Sequence, residues 1–283
     1  MRLVTLRTET GTRAGRLDGD SIVELPFADV GELLRSGADW RDAGSVDGPR
    51  HPSGAVRLAP VIPSPGKVIC LGLNYVSHIT EMGRKLPDHP TLFAKYAIAL
   101  TGPTDVIPLP VESSAVDWEA ELAVVLGSSV RRASITEAGR AIAGYTAAND
   151  VSMRDWQNRT LQWLQGKTFE ASTPLGPALV TPDELPGDPF APDLEIRCEV
   201  DGVVMQLART GDLLFGPVAA IAYISTFMTL EPGDVILTGT AAGVGAGRTP
   251  PVYLQPGQVV RVEIEGIGAL VNRCELERPP TSP

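Results

Sequence analysis

Three cysteines and three histidines in 283 residues leave little for thiol or imidazole chemistry. Cys70, Cys198 and Cys274 are odd in number and lack C-x-x-C spacing. That argues against a disulfide framework or a zinc site and predicts buried thiols in a reducing cytoplasm. Basic clusters are also scarce and no longer than Arg131-Arg132, while 34 acidic against 24 basic residues give a formal charge of −10. A groove for phosphate backbones needs clustered Lys and Arg, so nucleic acid is not an expected partner. Long apolar runs are missing too. Val218–Ile224 is far too short to cross a bilayer, and Met1–Thr10 has no signal-peptide core. No G-x-S-x-G nucleophile elbow occurs. The glycine-rich stretch 239–247 has neither G-x-G-x-x-G nor G-K-[ST], and Pro250-Pro251 follows where a phosphate-loop helix would begin.

What is present is an ordinary globular composition, 43% hydrophobic and 20% charged, of a length that suits one large domain or one domain plus a small one. Its centre is Val116–Gly127, read V-D-W-E-A-E-L-A-V-V-L-G. The apolar content and the closing Gly127-Ser128-Ser129 predict one buried strand. Asp117, Glu119 and Glu121 alternate along its first half, so the pleat predicts three carboxylates on one face at intervals of about 6.5–7 Å. Trp118, Ala120 and Leu122 form an apolar opposite face. Carboxylates crowded together at a buried position repel one another and resist desolvation. A hard divalent cation, Mg²⁺ or Mn²⁺, answers both problems.

Around this strand, residues 1–25 read as two or three short hairpin strands and Asp29–Ser36 as a short helix ended by Gly37. Three prolines within Ala59–Gly66 mark a junction. The expected division is therefore a small N-terminal module, residues 1–60, and a catalytic domain, residues 61–283. Lys67–Leu71 reads as a strand and Asn74–Met82 as a helix that carries His78 and Glu81 at i and i+3. Flanked by Gly72 and Gly83, that helix suits a mobile lid. A carboxylate beside an imidazole can orient a general base. Further on, Ser134 and Glu137 have capping-box spacing, Ala141–Ala148 is a buried strand, and Val151–Leu164 reads as one helix bearing Arg154, Gln157 and Asn158. Strands are expected at Ala178–Val180, Asp193–Val200 and Val203–Arg209, the last two joined by a type I′ turn at Asp201-Gly202. A helix at Pro217–Phe227, a strand at Asp234–Thr238 and a closing hairpin of Gln258–Glu265 and Ala269–Glu275 complete an α+β, β-rich pattern.

Five segments, in order, resemble the fumarylacetoacetate hydrolase superfamily: K-V-I-C-L-G-L-N-Y-V-S-H-I-T-E at 67–81, D-W-E-A-E-L at 117–122, N-D-V-S-M-R-D-W-Q at 149–157, G-K-T-F at 166–169 and G-D-V-I-L-T-G-T at 233–240. The resemblance implies a mixed β-sandwich roll, a homodimer, and one Mg²⁺ or Mn²⁺ per subunit held by Glu119, Glu121 and Asp150. Asp117 matches a frequently acidic position that is not a usual ligand. The namesake enzyme has a further Asp ligand seven residues before the catalytic His, where this chain has Leu71. The short branch of acylpyruvases, fumarylpyruvate hydrolases, oxaloacetate decarboxylases and dienedioate isomerases lacks it too, and carries the H-x-x-E pair. Ala241 stands where many relatives have Pro.

These residues imply an enzyme of 2-oxo and 2,4-dioxo acids. The metal chelates the 2-oxo carboxylate and acts as a Lewis acid on the ketone. Lys167 stabilises the resulting enolate. His78, oriented by Glu81, activates water for hydrolysis. Gln157 orients substrate or water, and the Gly239-Thr240 turn contacts the substrate carboxylate. The leading expectation is a metal-dependent hydrolase that cleaves a C–C bond of acylpyruvate-type acids, as in aromatic catabolism. A decarboxylase of the oxaloacetate type or a 2-hydroxyhepta-2,4-diene-1,7-dioate isomerase would use the same site, and a non-catalytic scaffold stands behind both.

Overall fold

The strand Ala120–Leu126 lies in the interior of an eleven-stranded sheet, between Ile142–Asn149 and Val235–Thr240. All seven of its residues are buried, because alternate side chains enter two different cores. Ala120, Leu122, Val124 and Leu126 join the larger core, Ala123 and Val125 the smaller. A computed structural model describes residues 1–37, 39–81 and 85–277, with the side chains of His78 and Glu81 outside the described set.

From edge to edge the main sheet runs Arg50–Pro52, Ser21–Glu24, Gly11–Asp18, Arg2–Thr8, Thr173–Val180, Ile142–Asn149, Ala120–Leu126, Val235–Thr240, Val68–Gly72 and Thr91–Lys95, with Leu100–Thr101 beside Thr173–Val180. It is mixed: Val235–Thr240 pairs in parallel with Val68–Gly72. A five-stranded sheet, Val203–Arg209, Glu195–Val200, Val259–Ile264, Gly268–Leu276 and Ile107–Leu109, sends Ile196, Cys198, Val262 and Leu270 into the larger core. The helix Val30–Arg35 and the proline-marked Val61 and Ile62 cover the smaller one. This is the β-rich α+β sandwich roll that the sequence implies. The N-terminal hairpin strands join the main sheet through Arg2–Thr8, in register with Val180 and Leu179. All three cysteines are buried free thiols.

Most of the expected elements form. Asp29 caps Val30–Arg35, and the capping box of Ser134 and Glu137 starts Ile135–Arg140. Asp201 and Gly202 both take positive φ, as a type I′ turn demands. Two expectations fail. Val116–Gly127 is not one strand: Val116–Asp117 pairs with Ser152–Met153, and pairing in the main sheet resumes only at Ala120. The amides at the break are met by side chains, Glu119 N–H by Asn149 Oδ1 and Ala120 N–H by Gln206 Oε1. Asp117 therefore leaves the face it was expected to share with Glu119 and Glu121. Nor is Val151–Leu164 one helix. Separate turns form at Arg154–Gln157 and Leu164–Lys167. Between them Thr160 Oγ1 accepts from Gln162 N–H, a local bond that competes with helix continuation. The helix at 76–81 forms, but the lid expectation extends over residues 82–84 and lies outside the described residues.

Candidate active site

Glu119, Glu121 and Asp150 each direct one carboxylate oxygen into a cluster whose atoms all lie within 4.8 Å of one another. Glu121 comes from the sheet interior and Glu119 from the break before it. Asp150 follows the partner strand Ile142–Asn149, with its N–H bonded to Glu119 O at 2.9 Å. All three side chains are buried.

Cations surround two of them. Lys167 Nζ lies 2.6 Å from Glu119 Oε2 and 2.9 Å from Asp150 Oδ2. Lys95 Nζ lies 2.6 Å from Asp150 Oδ1 and also donates to Lys167 O. Arg154 donates from Nε to Asp117 Oδ2 at 2.8 Å and from Nη1 to Gln157 Oε1 at 2.9 Å, and its Nη2 lies 2.6 Å from Glu119 Oε1. Glu121 has no cation partner among the described residues, only the Gly239 N–H at 2.7 Å from Oε2. Burial, with Asp150 and Glu119 close by, pushes its carboxyl well above the usual range. Burial works against ionised Asp150 as well, yet the Lys167 and Lys95 ammoniums outweigh it and hold Asp150 below its ordinary value. For Lys167 burial disfavours the charge, but Asp150 and Glu119 prevail and keep it protonated.

Among the described residues, and counting Asp117, the site holds four carboxylates against Lys95, Arg154 and Lys167, one acid more than the cations balance. The deficit falls at Glu121, beside two further oxygens. Among the described residues the donor set is three carboxylates with no nitrogen or sulfur, which fits a hard divalent ion such as Mg²⁺ or Mn²⁺.

The cluster opens into a cavity of about 340 Å³. Glu119, Glu121, Arg154, Gln157, Lys167 and Thr240 supply its polar wall, and Leu73, Phe93, Trp163 and Val244 line its apolar side. Of the ammonium protons of Lys167, two are used on Glu119 and Asp150, so one remains for the cavity. Gly239 and Thr240, expected as a turn, instead end the strand Val235–Thr240, paired through Thr240 with Glu121, and are more committed than expected. Gly239 spends its N–H on Glu121, and the Thr240 hydroxyl donates to Ala120 O while accepting from Gln206 Nε2. Gly239 takes φ +92°, and a Cβ there would meet Leu71 O at 2.9 Å. His78 and Glu81 belong to the helix Val76–Glu81, with side chains outside the described residues.

Lys95 and Gln206 are the participants that sequence reasoning missed, whereas Asp117 was singled out there and set apart from the ligands. A lysine closing an apolar strand, T-L-F-A-K, signals a buried partner, although not which one. Gln206 carries no such signal, because its role depends on contact between the two sheets.

The fumarylacetoacetate (FAA) hydrolase C-terminal family model matches residues 67–275. An oxaloacetate tautomerase, Fahd2a, mitochondrial, of Rattus norvegicus is 44% identical over 250 residues, spanning 88% of this chain and 78% of the relative. Among solved structures, fumarylacetoacetate hydrolase from Exiguobacterium antarcticum superposes with TM-score 0.87 at 34% identity, covering 98% of this chain and 100% of that one. A 2-hydroxyhepta-2,4-diene-1,7-dioate isomerase from Mycobacterium marinum does so with TM-score 0.80 at 34% identity, over 99% and 100%. The family model spans well over half of the chain, the relatives are similar over nearly all of the chain, and this chain belongs to the fumarylacetoacetate hydrolase family.

Proposed function

We propose that the chain catalyses proton transfer next to the ketone of a 2-oxo acid, a keto–enol tautomerisation or double-bond isomerisation of an oxaloacetate-class or dienedioate-class substrate. The observation that carries this reading is the buried oxygen cluster with Glu121 short of a cation, opening beside the Lys167 ammonium. A divalent cation held by Glu119, Glu121 and Asp150 supplies Lewis-acid chemistry at the keto and carboxylate oxygens. Lys167, kept protonated, directs its remaining proton at the oxygen where enolate charge develops. Gln157 fixes substrate orientation from a side chain steadied by Arg154. His78, oriented by Glu81, is the proposed base at the carbon. The names of the relatives, oxaloacetate tautomerase and dioate isomerase, support this class.

Hydrolysis of acylpyruvate-type 2,4-dioxo acids is the second reading, favoured by the H-x-x-E spacing of His78 and Glu81. The proposal includes a homodimer, a cytoplasmic location, and residues 1–60 as a module without chemistry of its own. No described helix is long and apolar enough to cross a membrane.

One experiment separates the readings. Protein loaded with Mn²⁺ is given enol oxaloacetate, oxaloacetate at keto–enol equilibrium, a dienedioate and an acylpyruvate in parallel. Accelerated decay of enol absorbance without CO₂ release supports the tautomerase. Acylpyruvate cleavage restores the hydrolase, CO₂ release indicates a decarboxylase, and no turnover of any substrate sinks the enzymatic proposal.

A further inference from the structure

Asp117 is fully buried and is not among the clustered ligands, yet its two oxygens receive four donors. Oδ1 accepts from Trp118 N–H at 2.9 Å and Gly245 N–H at 2.7 Å. Oδ2 accepts from Ala246 N–H at 3.0 Å and Arg154 Nε at 2.8 Å. Gly245 and Ala246 belong to the glycine-rich stretch that has no nucleotide-binding spacing. Consecutive N–H groups of this kind form an anion cradle, and here the anion is the chain's own carboxylate. A Cβ on Gly245 would overlap Val252 O and would meet Asp117 Oδ1 at 2.7 Å and the Trp118 ring at 3.1 Å, so glycine permits the loop to close on Val252 and on the carboxylate together.

From this carboxylate two lines lead to the cavity. Through the cradle, Asp117 fixes Val244, Ala246 and Gly247, which form one wall. Through Arg154 Nε it sets the guanidinium plane, whose other nitrogens reach Glu119 Oε1 and Gln157 Oε1. A planar guanidinium fixed at one edge leaves its remaining donors little freedom.

We propose that Asp117 is a positioning residue that docks the glycine-rich loop as a cavity wall and, through Arg154, aims Glu119 at the metal position and Gln157 at the substrate. The second half of this statement rests on Glu119 being a metal ligand. Partners of this kind are worth about 10–100-fold in metal affinity or activity.

The test compares the parent protein with Asp117→Asn, Arg154→Lys and the double variant, using Mn²⁺ calorimetry and amide exchange at Gly245 and Ala246. Asparagine turns an NH₂ toward groups that donate, so Asp117→Asn should bind Mn²⁺ about 10–100-fold more weakly and exchange both amides faster. Arg154→Lys should lose a similar factor while both amides stay protected. The double variant should bind Mn²⁺ no worse than the weaker single one, because the two residues lie on one line of action. Parental Mn²⁺ affinity in Asp117→Asn, or additive losses in the double variant, would overturn the relay. If Asp117→Asn does not fold, Arg154→Lys decides alone, and parental affinity there overturns the relay. A parent protein that binds no Mn²⁺ removes the metal reading and the relay together, whereas slow exchange at Gly245 and Ala246 in Asp117→Asn overturns the docking of the loop.

Discussion

Glu121 carries the strongest electrostatic demand of any residue in the site. It is buried, flanked by two carboxylates, and answered by one backbone N–H where its neighbours have ammonium or guanidinium partners. Glu121→Gln keeps the shape and an acceptor for the Gly239 N–H while removing the charge. It should weaken Mn²⁺ binding by about 100-fold or more and reduce turnover with it. Undiminished stoichiometry and affinity in calorimetry would take Glu121 out of the ligand set. Lys167 presents the opposite case, a cation with more carboxylate contact than it needs for charge balance. Lys167→Met should lower kcat by about 10²–10³ for every substrate turned over, the usual worth of an electrostatic donor aimed at developing charge. Steady-state kinetics decide this, since a change confined to KM would make Lys167 a contributor to uniform binding.

At the scale of elements, the two one-turn helices Arg154–Gln157 and Leu164–Lys167 place the polar wall of the cavity. They meet at Gly166, where a Cβ would lie 2.5 Å from Gln157 Cα. Gly166→Ala should therefore cost about 1–3 kcal/mol by overpacking. It should also shift Lys167 against Gln157, so kcat/KM falls while the two sheets survive. Urea unfolding and kinetics on the same preparation check both halves, and parental kinetics would show that the helix contact does not set the site. This junction was also the least legible part of the sequence. Val151–Leu164 has helical periodicity, but the bond from Gln162 to Thr160 and the pairing of Ser152–Met153 with Val116–Asp117 override it. The interior strands Ile142–Asn149 and Val235–Thr240 were legible because their patterns are strong and their neighbours interchangeable, whereas only the last three residues of Thr173–Val180 were, its first half being masked by Pro174 and Pro177. The three clustered carboxylates were legible because D-W-E-A-E-L and N-D are local motifs. The break at Trp118–Glu119 was not, since it depends on Asn149 and Gln206, remote residues whose side chains replace the missing strand partner. Lys95 was hidden for the same reason: its partners lie 55 and 72 residues away.

For the molecule as a whole, the buried charges make stability depend jointly on pH and metal. In the metal-free protein Glu121 holds a proton to higher pH than it does in the unfolded chain. Its contribution is full below the unfolded carboxyl pKa and disappears as pH rises through the raised folded value. Asp150, held low by Lys167 and Lys95, acts in the opposite sense: its contribution is present at neutral pH and is lost only as acid titrates it below the ordinary aspartate range. From the ordinary glutamate pKa upward, Glu121 therefore makes the metal-free protein less stable as pH rises, by at most about 1.4 kcal/mol per unit for one proton. Mn²⁺ reverses this penalty. At a hundredfold excess over Kd it should add about 2.7 kcal/mol, a rise in Tm of roughly 4–5 °C for a chain of this size. Thermal scans from pH 5 to 8, with EDTA or with Mn²⁺, should show a falling Tm in EDTA and a flatter, higher curve with the ion. Glu121→Gln should flatten the EDTA curve and lose most of the Mn²⁺ shift. A parent curve in EDTA that does not fall relative to the Glu121→Gln curve would mean that Glu121 is already ionised without metal, and the electrostatic demand assigned to it would have to be met by another group.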